Sequence, residues 1–258
     1  MQVGQVSNLA GKDVGVTAMM TDLYQVTMAY AEWKAKRQDH LCVFEAFFRK
    51  APFKGRYTIF AGLDEVNQFL ENFKFTTEHI NYLKQTLSHM EDGFFDWLAS
   101  QSTKDIKVYG IPTGTVTFAN EPVLRIEGPF ALLQLIETPL LNLINFASLI
   151  ATNASRMQLI SAPTKCVEFG LRRAQGPNGA LTASKYAIVG GFVGTSNIQA
   201  GFNYGCQVVG TLAHSMIMSF ETEDDCKDSR HVTPKTGGSP VDILPLALAY
   251  REKLGWNT

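Results

Sequence analysis

The part of the sequence after about residue 164 alternates between short apolar strands and helices. Lys165–Gly170 (KCVEFG) and Gln207–Leu212 (QVVGTL) are brief apolar runs typical of strands. The stretch between them contains a predicted helix, Gly179–Phe192, and a further helix is predicted to begin at Ala213. This order is typical of β-α-β units and predicts a parallel sheet or barrel, in which active groups gather where strands end and loops begin.

The preceding segment is predicted to combine helices with short strands. A long apolar helix is expected to run from Pro129 to Ile160. Pro139 should kink this helix or split it in two, because proline lacks an N–H and clashes with the preceding turn. The other predicted helices lie near residues 23–33, 63–73 and 77–87, and the predicted strands lie near residues 41–49, 106–110, 114–118 and 122–128.

These patterns give an α/β fold class with three parts. Residues 1–18 are expected to be a flexible arm, residues 19–163 a mixed α+β domain with a long helical hairpin, and residues 164–258 the first part of an irregular α/β barrel. A capped amphipathic helix is predicted for Ser239–Trp256. A barrel of about two strands cannot close, so the barrel is expected to be incomplete in this chain.

Charge and cysteine content argue against several classes of partner. The chain has 23 Lys and Arg against 24 Asp and Glu, a net charge of −1, and so no electrostatic reason to bind nucleic acid or an anionic membrane. Its 4 cysteines are far apart and lack metal-ligand spacing, which argues against zinc and a disulfide framework. No secretory signal or long apolar span is apparent, so a cytosolic location is expected.

Two segments contain candidate anion-binding groups. Arg172 and Arg173 follow a predicted strand, and their planar guanidinium forks are suited to phosphate or carboxylate, although a solvated surface pair is the alternative. In Gly190–Gly201 (GGFVGTSNIQAG), the glycines would let backbone N–H groups approach a ligand, and Thr195 and Ser196 supply hydroxyl donors. This second signal is weak by itself, because Gly-rich turns are common and the Walker pattern is absent.

His214 and Tyr24 each have two interpretations. His214 follows an apolar run that ends at Gly210 and Thr211. A core histidine is the usual explanation, but an imidazole at a strand end beside hydroxyls is also suited to phosphoryl transfer or general acid–base catalysis. Tyr24 lies in the first turn of a predicted helix, and from the residue itself an aromatic anchor is the better interpretation.

Six segments, taken in order, resemble the eukaryotic nicotinate phosphoribosyltransferases of the type II phosphoribosyltransferase superfamily. The similarity extends from about Thr21 and corresponds to the N-terminal half of those enzymes. The combination of EFGLRRAQGP with GTLAHS is specific. The segments are TDLYQVTMAY, FEAFFRKAPF, ETPLLNLINFASLIATNASR, EFGLRRAQGPNGALTASKYAIVGG, GTSNIQAG and GTLAHS.

The resemblance implies an activity in NAD salvage. Members condense nicotinate with phosphoribosyl pyrophosphate to give nicotinate mononucleotide and pyrophosphate, with Mg²⁺ present and ATP as co-substrate. ATP hydrolysis drives the reaction through a phosphorylated histidine, which corresponds to His214. Members form homodimers in which the tyrosine of TDLYQ enters the neighbouring active site. The groups that bind Mg²⁺ and pyrophosphate are expected beyond the part that this chain resembles.

The resemblance also assigns roles to individual residues. Tyr24 and Thr211 correspond to nicotinate contacts, Phe169 to a residue that stacks on the pyridine ring, and Arg172 to an arginine near the ribosyl phosphate. Nicotinamide-specific relatives carry an aspartate at the position of Ser196. Aspartate would repel the carboxylate of nicotinate, whereas serine can donate to it, so Ser196 favours nicotinate.

Two alternatives accompany this assignment. A half-length chain could be a non-catalytic isoform or fragment that only pairs with a full-length subunit. A nicotinamide phosphoribosyltransferase is the second alternative, and Ser196 argues against it. The enzymatic interpretation requires His214, Thr211, Arg172 and Phe169 to surround one cavity.

Overall fold

One long helix, α5 (Phe130–Ser161), occupies the apolar interior. Its length and hydropathy would suit a membrane-spanning helix, yet 56% of its apolar window is buried inside the protein. One side of its first half packs into the larger hydrophobic cluster, and Ala147 and Ala151 belong to a smaller one. Packing within the chain is therefore sufficient to explain its composition.

The computed structural model describes residues 15–219 and two short strands at residues 231–232 and 241–242. Residues up to Val208 form one compact unit, and residues from Val209 form a second. The helices of the first unit are α1 (Leu23–Lys34), α2 (Leu63–Glu71), α3 (Thr77–Thr86), α4 (Asp92–Ser100), α5, α6 (Gly176–Val189) and α7 (Ile198–Tyr204). Its strands are β1 (Leu41–Phe47), β2 (Thr58–Ile59), β3 (Lys107–Gly110), β4 (Val116–Thr117), β5 (Pro122–Pro129), β6 (Val167–Glu168) and β7 (Gly194–Thr195). The second unit contains α8 (His214–Met218) and an antiparallel pair, β8 (His231–Val232) and β9 (Val241–Asp242).

An antiparallel sheet in the order β1-β5-β3 forms one wall of the larger core. Its central strand contributes the buried side chains Val123, Leu124 and Ile126. Aromatic rings from α1 and α4 also belong to this core: Tyr30 meets Phe94 edge-on, with ring centroids 5.2 Å apart. The mixed α/β class predicted from the sequence is confirmed.

Buried hydroxyls of α5 hydrogen-bond the backbone of the segment that begins with β2. The N–H of Ile59 donates to Thr152 Oγ1 at 2.8 Å, and the N–H of Ala61 donates to Ser148 Oγ at 2.9 Å. Both acceptors have no exposed surface. These polar residues in an apolar helix therefore satisfy backbone donors that water cannot reach.

The predicted split at Pro139 is wrong, because α5 continues through this residue. Pro139 is buried, and the side chains just before it anchor the helix to α1. Glu137 accepts a hydrogen bond from Gln25 Nε2 at 3.2 Å, and Thr138 Oγ1 donates to Asp22 at 3.0 Å. Tertiary packing therefore holds the two halves together despite the missing N–H.

Other differences concern short elements. Helices α4 and α7 were not predicted. The predicted strand Gln207–Leu212 is reduced to one parallel bridge between Val208 and Thr195. The helix predicted from Ser239 does not begin there, because Val241 and Asp242 form β9, and its remainder lies outside the described residues. Residues 1–14 of the predicted arm also lie outside the described residues. The predicted domain boundary between residues 163 and 164 stays a prediction.

Strands β6 and β7 are parallel and are joined by α6. The strand β6 and the helix were predicted, but β7 was not, because the second strand of the unit was expected at Gln207–Leu212. Helix α6 packs closely on α5. Gly190, just after α6, lies against the backbone of α5. A Cβ atom at Gly190 would lie 2.4 Å from the carbonyl oxygen of Ala151 and 2.6 Å from the Cβ of Ala154. Only glycine permits this separation, so Gly190 fixes how near α6 lies to α5.

A polar contact also joins α6 to α2. Glu65 accepts hydrogen bonds from Lys185 Nζ, at 2.7 Å, and from the hydroxyl of Tyr186. Burial favours the neutral acid, but the hydrogen bonds from Lys185 and Tyr186 outweigh it and lower the pKa of Glu65 below its usual value. Residues on both sides of the predicted domain boundary are therefore linked electrostatically.

Gly190→Ala is expected to destabilise the protein by about 1–3 kcal/mol, because the added methyl group overlaps the α5 backbone. The φ of −75° at this position suits alanine, so the effect comes from packing. Urea unfolding would measure it. Gly179→Ala on α6 is the control, since its Cβ would meet nothing within 4 Å. Equal stability of the two variants would contradict the close α5–α6 approach.

Glu65→Gln is expected to reduce the free energy of unfolding at about pH 7 and to matter less at about pH 3.5. A carboxylate with a lowered folded-state pKa stabilises the fold above its unfolded-state pKa. That contribution disappears as the pH falls through the folded-state value. Chemical unfolding at both pH values would test this, with the exposed Glu71→Gln as control. A Glu65→Gln effect that is the same at both pH values would contradict the ion-pair explanation.

Candidate functional site

The carboxyl ends of β6 and β7 lie side by side at one edge of the parallel pair, which we call the strand-end edge. Glu168 is in register with Thr195, and the N–H of Ser196 donates to the carbonyl oxygen of Glu168 at 2.9 Å. Phe169 directly follows β6, and Ser196 directly follows β7. The structure therefore brings these two predicted site residues to the same edge, where parallel α/β folds place their ligands.

The carboxylate of Glu168 is the hydrogen-bonding centre of this edge. Its Oε2 accepts hydrogen bonds from Thr195 Oγ1 at 2.6 Å and from Ser184 Oγ at 2.9 Å. Its Oε1 accepts the N–H of Gly170. Thr195 and Ser184 have no exposed surface. The three donors come from β7, from α6 and from the turn after β6, so one side chain ties three segments together.

Asn197 extends the network on the β7 side. Its backbone N–H donates to Thr195 Oγ1 at 3.0 Å, and its Nδ2 donates to Ser184 Oγ at 3.1 Å. Its Oδ1 caps α7 by accepting the N–H of Ala200 at 3.2 Å. Asn197 is therefore a buried structural residue.

The expectation that Thr195 offers its hydroxyl to a ligand is wrong. That hydroxyl donates to Glu168 and accepts from Asn197. The glycines at the two ends of the same segment serve packing: Gly190 lies against α5, and a Cβ at Gly201 would lie 2.3 Å from Val208 Cγ2. They do not act as a phosphate cradle.

Ser196 differs from its two polar neighbours. It is half-buried, and its Oγ forms no hydrogen bond with any other described residue. Its backbone N–H is already used by Glu168. Ser196 can therefore offer a ligand its hydroxyl but not its amide.

The turn after β6 presents an aromatic ring and two cationic side chains. Phe169 is 42% exposed, and Leu171–Arg173 form a short 3₁₀ turn. Arg172 and Arg173 are exposed, and neither forms an ion pair within the described residues. An exposed ring beside unneutralised guanidinium groups is suited to an anion with an aromatic body.

Tyr24 is placed on α1, where it is 48% exposed. Its hydroxyl donates to Glu137 Oε1 at 3.3 Å, and burial together with the Glu137 charge raises the pKa of this hydroxyl. Across the described residues, no hydrogen bond or ring contact joins Tyr24 to Phe169 or Ser196. The anchor role and the ligand role both remain compatible with this position.

Thr211 and His214 lie in the second unit. Thr211 is exposed, and His214 is the exposed first residue of α8. The prediction that α8 would follow Leu212 is confirmed. The grouping of these two residues with Phe169 and Arg172 around one cavity stays a prediction.

A cavity of about 400 Å³ lies between the antiparallel β1-β5-β3 sheet and α5. Its walls are mainly aliphatic, and Glu45, Gln134 and Glu137 supply its polar groups. No Lys, Arg or His lines it in the described part of the chain. This cavity is therefore unsuited to an anionic substrate, unlike the strand-end edge.

The described residues contain no group of three or more His, Cys, Asp or Glu side chains placed to hold a metal ion. They accordingly do not supply a complete Mg²⁺ site.

Glu168 is the main residue that the sequence reasoning did not assign. One signal could have found it: a charged residue within an otherwise apolar strand, directly before the predicted ring-stacking residue Phe169. A carboxylate in such a place requires donors, and the hydroxyl-rich segments downstream could supply them.

Two family models match the chain. The model of the nicotinate phosphoribosyltransferase (NAPRTase) N-terminal domain covers residues 19–145, and the model of the NAPRTase family covers residues 164–245.

Several full-length relatives are similar. Nicotinate phosphoribosyltransferase 1 of Arabidopsis thaliana is 51% identical over 214 residues, covering 83% of this chain and 38% of that protein. The Caenorhabditis elegans nicotinate phosphoribosyltransferase is 44% identical over 251 residues, covering 96% and 44%. The human one is 41% identical over 239 residues, covering 92% and 44%. The chain thus spans roughly two fifths of the length of these relatives, and the comparisons favour neither alternative function.

Solved structures agree with these matches. The crystal structure of human Nicotinic Acid Phosphoribosyltransferase aligns with a TM-score of 0.74 and 40% identity, covering 91% of this chain and 47% of that one. A nicotinate-nucleotide pyrophosphorylase from Pyrococcus furiosus, at 24% identity and a TM-score of 0.63, shares the fold. Because both family models, the relatives and the human structure agree over most of its length, the chain belongs to the nicotinate phosphoribosyltransferase family.

Proposed function

We propose that this chain provides the nicotinate-binding and phosphoribosyl-binding edge of a nicotinate phosphoribosyltransferase. The enzyme condenses nicotinate with phosphoribosyl pyrophosphate and couples the reaction to ATP hydrolysis. The observation that carries the proposal is the edge after β6 and β7. It has an exposed ring, exposed guanidinium groups that form no ion pair with another described residue, and a hydroxyl without a hydrogen bond to the described part of the chain. Family membership supplies the identity of the substrates.

Each group at the edge matches part of the two substrates. The ring of Phe169 stacks on the pyridine, and Ser196 Oγ donates to the carboxylate of nicotinate. Arg172 binds the ribosyl phosphate through its planar fork, which fits a phosphate better than a lysine point charge would. Both substrates are anions, and the two exposed arginines give the turn the complementary charge.

Glycosyl transfer requires the ring and the sugar to be held in line. The lone pair of the pyridine nitrogen forms a bond to C1 of the ribose while the bond from C1 to the pyrophosphate oxygen breaks. Pyrophosphate leaves with that electron pair. The contribution of Phe169, Ser196 and Arg172 is orientation, which lowers the entropic part of the barrier.

Mg²⁺ belongs to the proposal as the counterion of pyrophosphate, where it would neutralise the leaving group. Because the described residues contain no complete set of ligands, no step is assigned to it.

His214 is proposed to be the phosphorylated residue. A ring nitrogen attacks the γ-phosphate of ATP and releases ADP, and water later hydrolyses the phosphohistidine to inorganic phosphate. The exposure of His214 at the start of α8 supports this role, because the imidazole is accessible to a nucleotide. The added charge would alter how tightly substrates and products bind.

The chain is also proposed to act in a cytosolic homodimer in which Tyr24 enters the neighbouring site. Tyr24 and the adjacent Leu23, which is 61% exposed, give the start of α1 an apolar surface. Such a surface is typical of a contact between subunits. The cytosolic location is supported by the scattered cysteines.

Ser196→Asp is expected to weaken nicotinate binding roughly tenfold or more and to improve nicotinamide binding. A second carboxylate repels that of nicotinate by about 1.4 kcal/mol or more, whereas it accepts a hydrogen bond from the amide of nicotinamide. Calorimetric titration of both ligands would measure the change. The exposed Ser102→Asp adds the same charge elsewhere and serves as control. Unchanged nicotinate affinity in Ser196→Asp would show that the carboxylate does not face Ser196.

His214→Ala is expected to abolish transfer of labelled γ-phosphate from Mg²⁺-ATP to the purified chain. The wild-type protein should carry acid-labile, base-stable phosphate and form nicotinate mononucleotide when both substrates are present. Scintillation counting after acid and base treatment would detect the label, and chromatography the product. His89→Ala, at an exposed site on the first unit, should keep the label. A labelled His214→Ala variant would disprove the assignment.

A further inference from the structure

We propose that Glu168 is a positioning residue, whose carboxylate holds the turn bearing Phe169 and Arg172 in register with the β7 end bearing Ser196. The identity of the ligands rests on the proposed function, but the positioning itself can be measured without ligand.

Three donors from three segments converge on Glu168. Thr195, Ser184 and Gly170 all donate to the carboxylate of Glu168. A carboxylate has two oxygens that only accept, so it can satisfy all three donors at once. A glutamine side chain would turn an N–H₂ group toward one of these sets of donors.

Glu168 also links the two strand ends through its backbone. The backbone carbonyl of Glu168 accepts the N–H of Ser196, while its side chain holds Gly170 on one side and Thr195 on the other. Glu168 therefore contacts Gly170, which follows Phe169, and Thr195, which precedes Ser196. Misplacement of reacting groups by about 1 Å can cost roughly 100-fold in rate, so a fixed spacing between the ring and the hydroxyl has functional value.

Gly170 leaves space for the carboxylate of Glu168. Its φ of −94° lies in the ordinary helical region, so its backbone does not require glycine. A Cβ at this position would meet Glu168 Oε1 at 2.9 Å, with no other close contact. The absence of a side chain at residue 170 thus makes room for the carboxylate of Glu168.

A role as metal ligand or general base fits the geometry less well. No metal-binding group is found among the described residues, and the carboxylate already has three protein donors. Both oxygens of the carboxylate accept hydrogen bonds from the protein itself. Glu168 therefore acts through Phe169, Arg172 and Ser196.

Two substitutions disturb the same contact from opposite sides. Glu168→Gln removes an acceptor, and Gly170→Ala displaces the carboxylate without straining the backbone. Glu71→Gln, at an exposed site, and Gly179→Ala, in open space, are the matched controls. All variants would be made in the whole chain, and thermal unfolding would confirm that each one folds.

The ligand-free measurement is amide hydrogen exchange with ¹⁵N NMR. Both test variants should speed exchange of the Gly170 amide by roughly tenfold or more and shift the Ser196 resonance, whereas the controls should change neither. The double variant should add little to either single variant, because both act on one contact. Unchanged Gly170 and Ser196 signals in the folded variants would overturn the proposal. If Glu168→Gln fails to fold, Gly170→Ala gives the answer.

The ligand measurement is the affinity for nicotinate and for phosphoribosyl pyrophosphate. Both test variants should weaken each by roughly tenfold. Gly170→Ala, which keeps the carboxylate, should do so with a melting temperature near that of Gly179→Ala, a pattern that a purely structural residue would not give. Full affinity despite altered Gly170 and Ser196 signals would overturn the positioning role. If the wild-type chain binds neither compound, the proposed function fails, and the exchange measurement still decides whether Glu168 holds the two segments.

Discussion

The close approach of α6 to α5 is the constraint on which the strand-end edge depends. Gly190 lets the end of α6 approach the α5 backbone, where any side chain would overlap it. Glu65 of α2 adds a second attachment through Lys185 and Tyr186. Because α6 connects β6 to β7, its placement determines where both strands end. A rigid helix pair therefore supports a site built from short strands, which would be too weak to hold its residues by themselves.

The strand-end edge separates residues that maintain the structure from residues that can bind a ligand. Thr195, Ser184 and Asn197 are buried and hydrogen-bonded to one another or to Glu168. Ser196, between two of them, keeps its hydroxyl available, and the turn after β6 exposes a ring and two guanidinium groups. Ser196 directly follows β7 and is less buried than Thr195 and Asn197 on either side of it. The resulting surface is cationic and aromatic, which matches the substrates of the family to which the chain belongs.

Much of the fold could be predicted from periodicity, and the errors have identifiable causes. The helices around Leu23 and Leu63, strand β6 and helix α6 follow from apolar spacing, whereas the two-residue strand β7 lies in a Gly-rich segment without a strand pattern. The split at Pro139 failed because buried contacts on both sides of the residue outweigh one lost hydrogen bond. Phe169, Arg172 and Ser196 could be found from motif resemblance. The sequence marks Glu168 only as a charged residue in an apolar strand and does not reveal its partners, because two of its three donors lie 16 and 27 residues away. Such long-range hydrogen bonds leave no local pattern in a sequence.

The central claim is that the edge formed by Phe169, Arg172 and Ser196 is where nicotinate binds. Titration of the ¹⁵N-labelled chain with nicotinate, followed by amide chemical shifts, tests it most directly. The account predicts saturable shifts centred on these three residues, with little change around the cavity that Glu45, Gln134 and Glu137 help to line. Shifts centred on that cavity, or no saturable shifts at the strand ends, would contradict it.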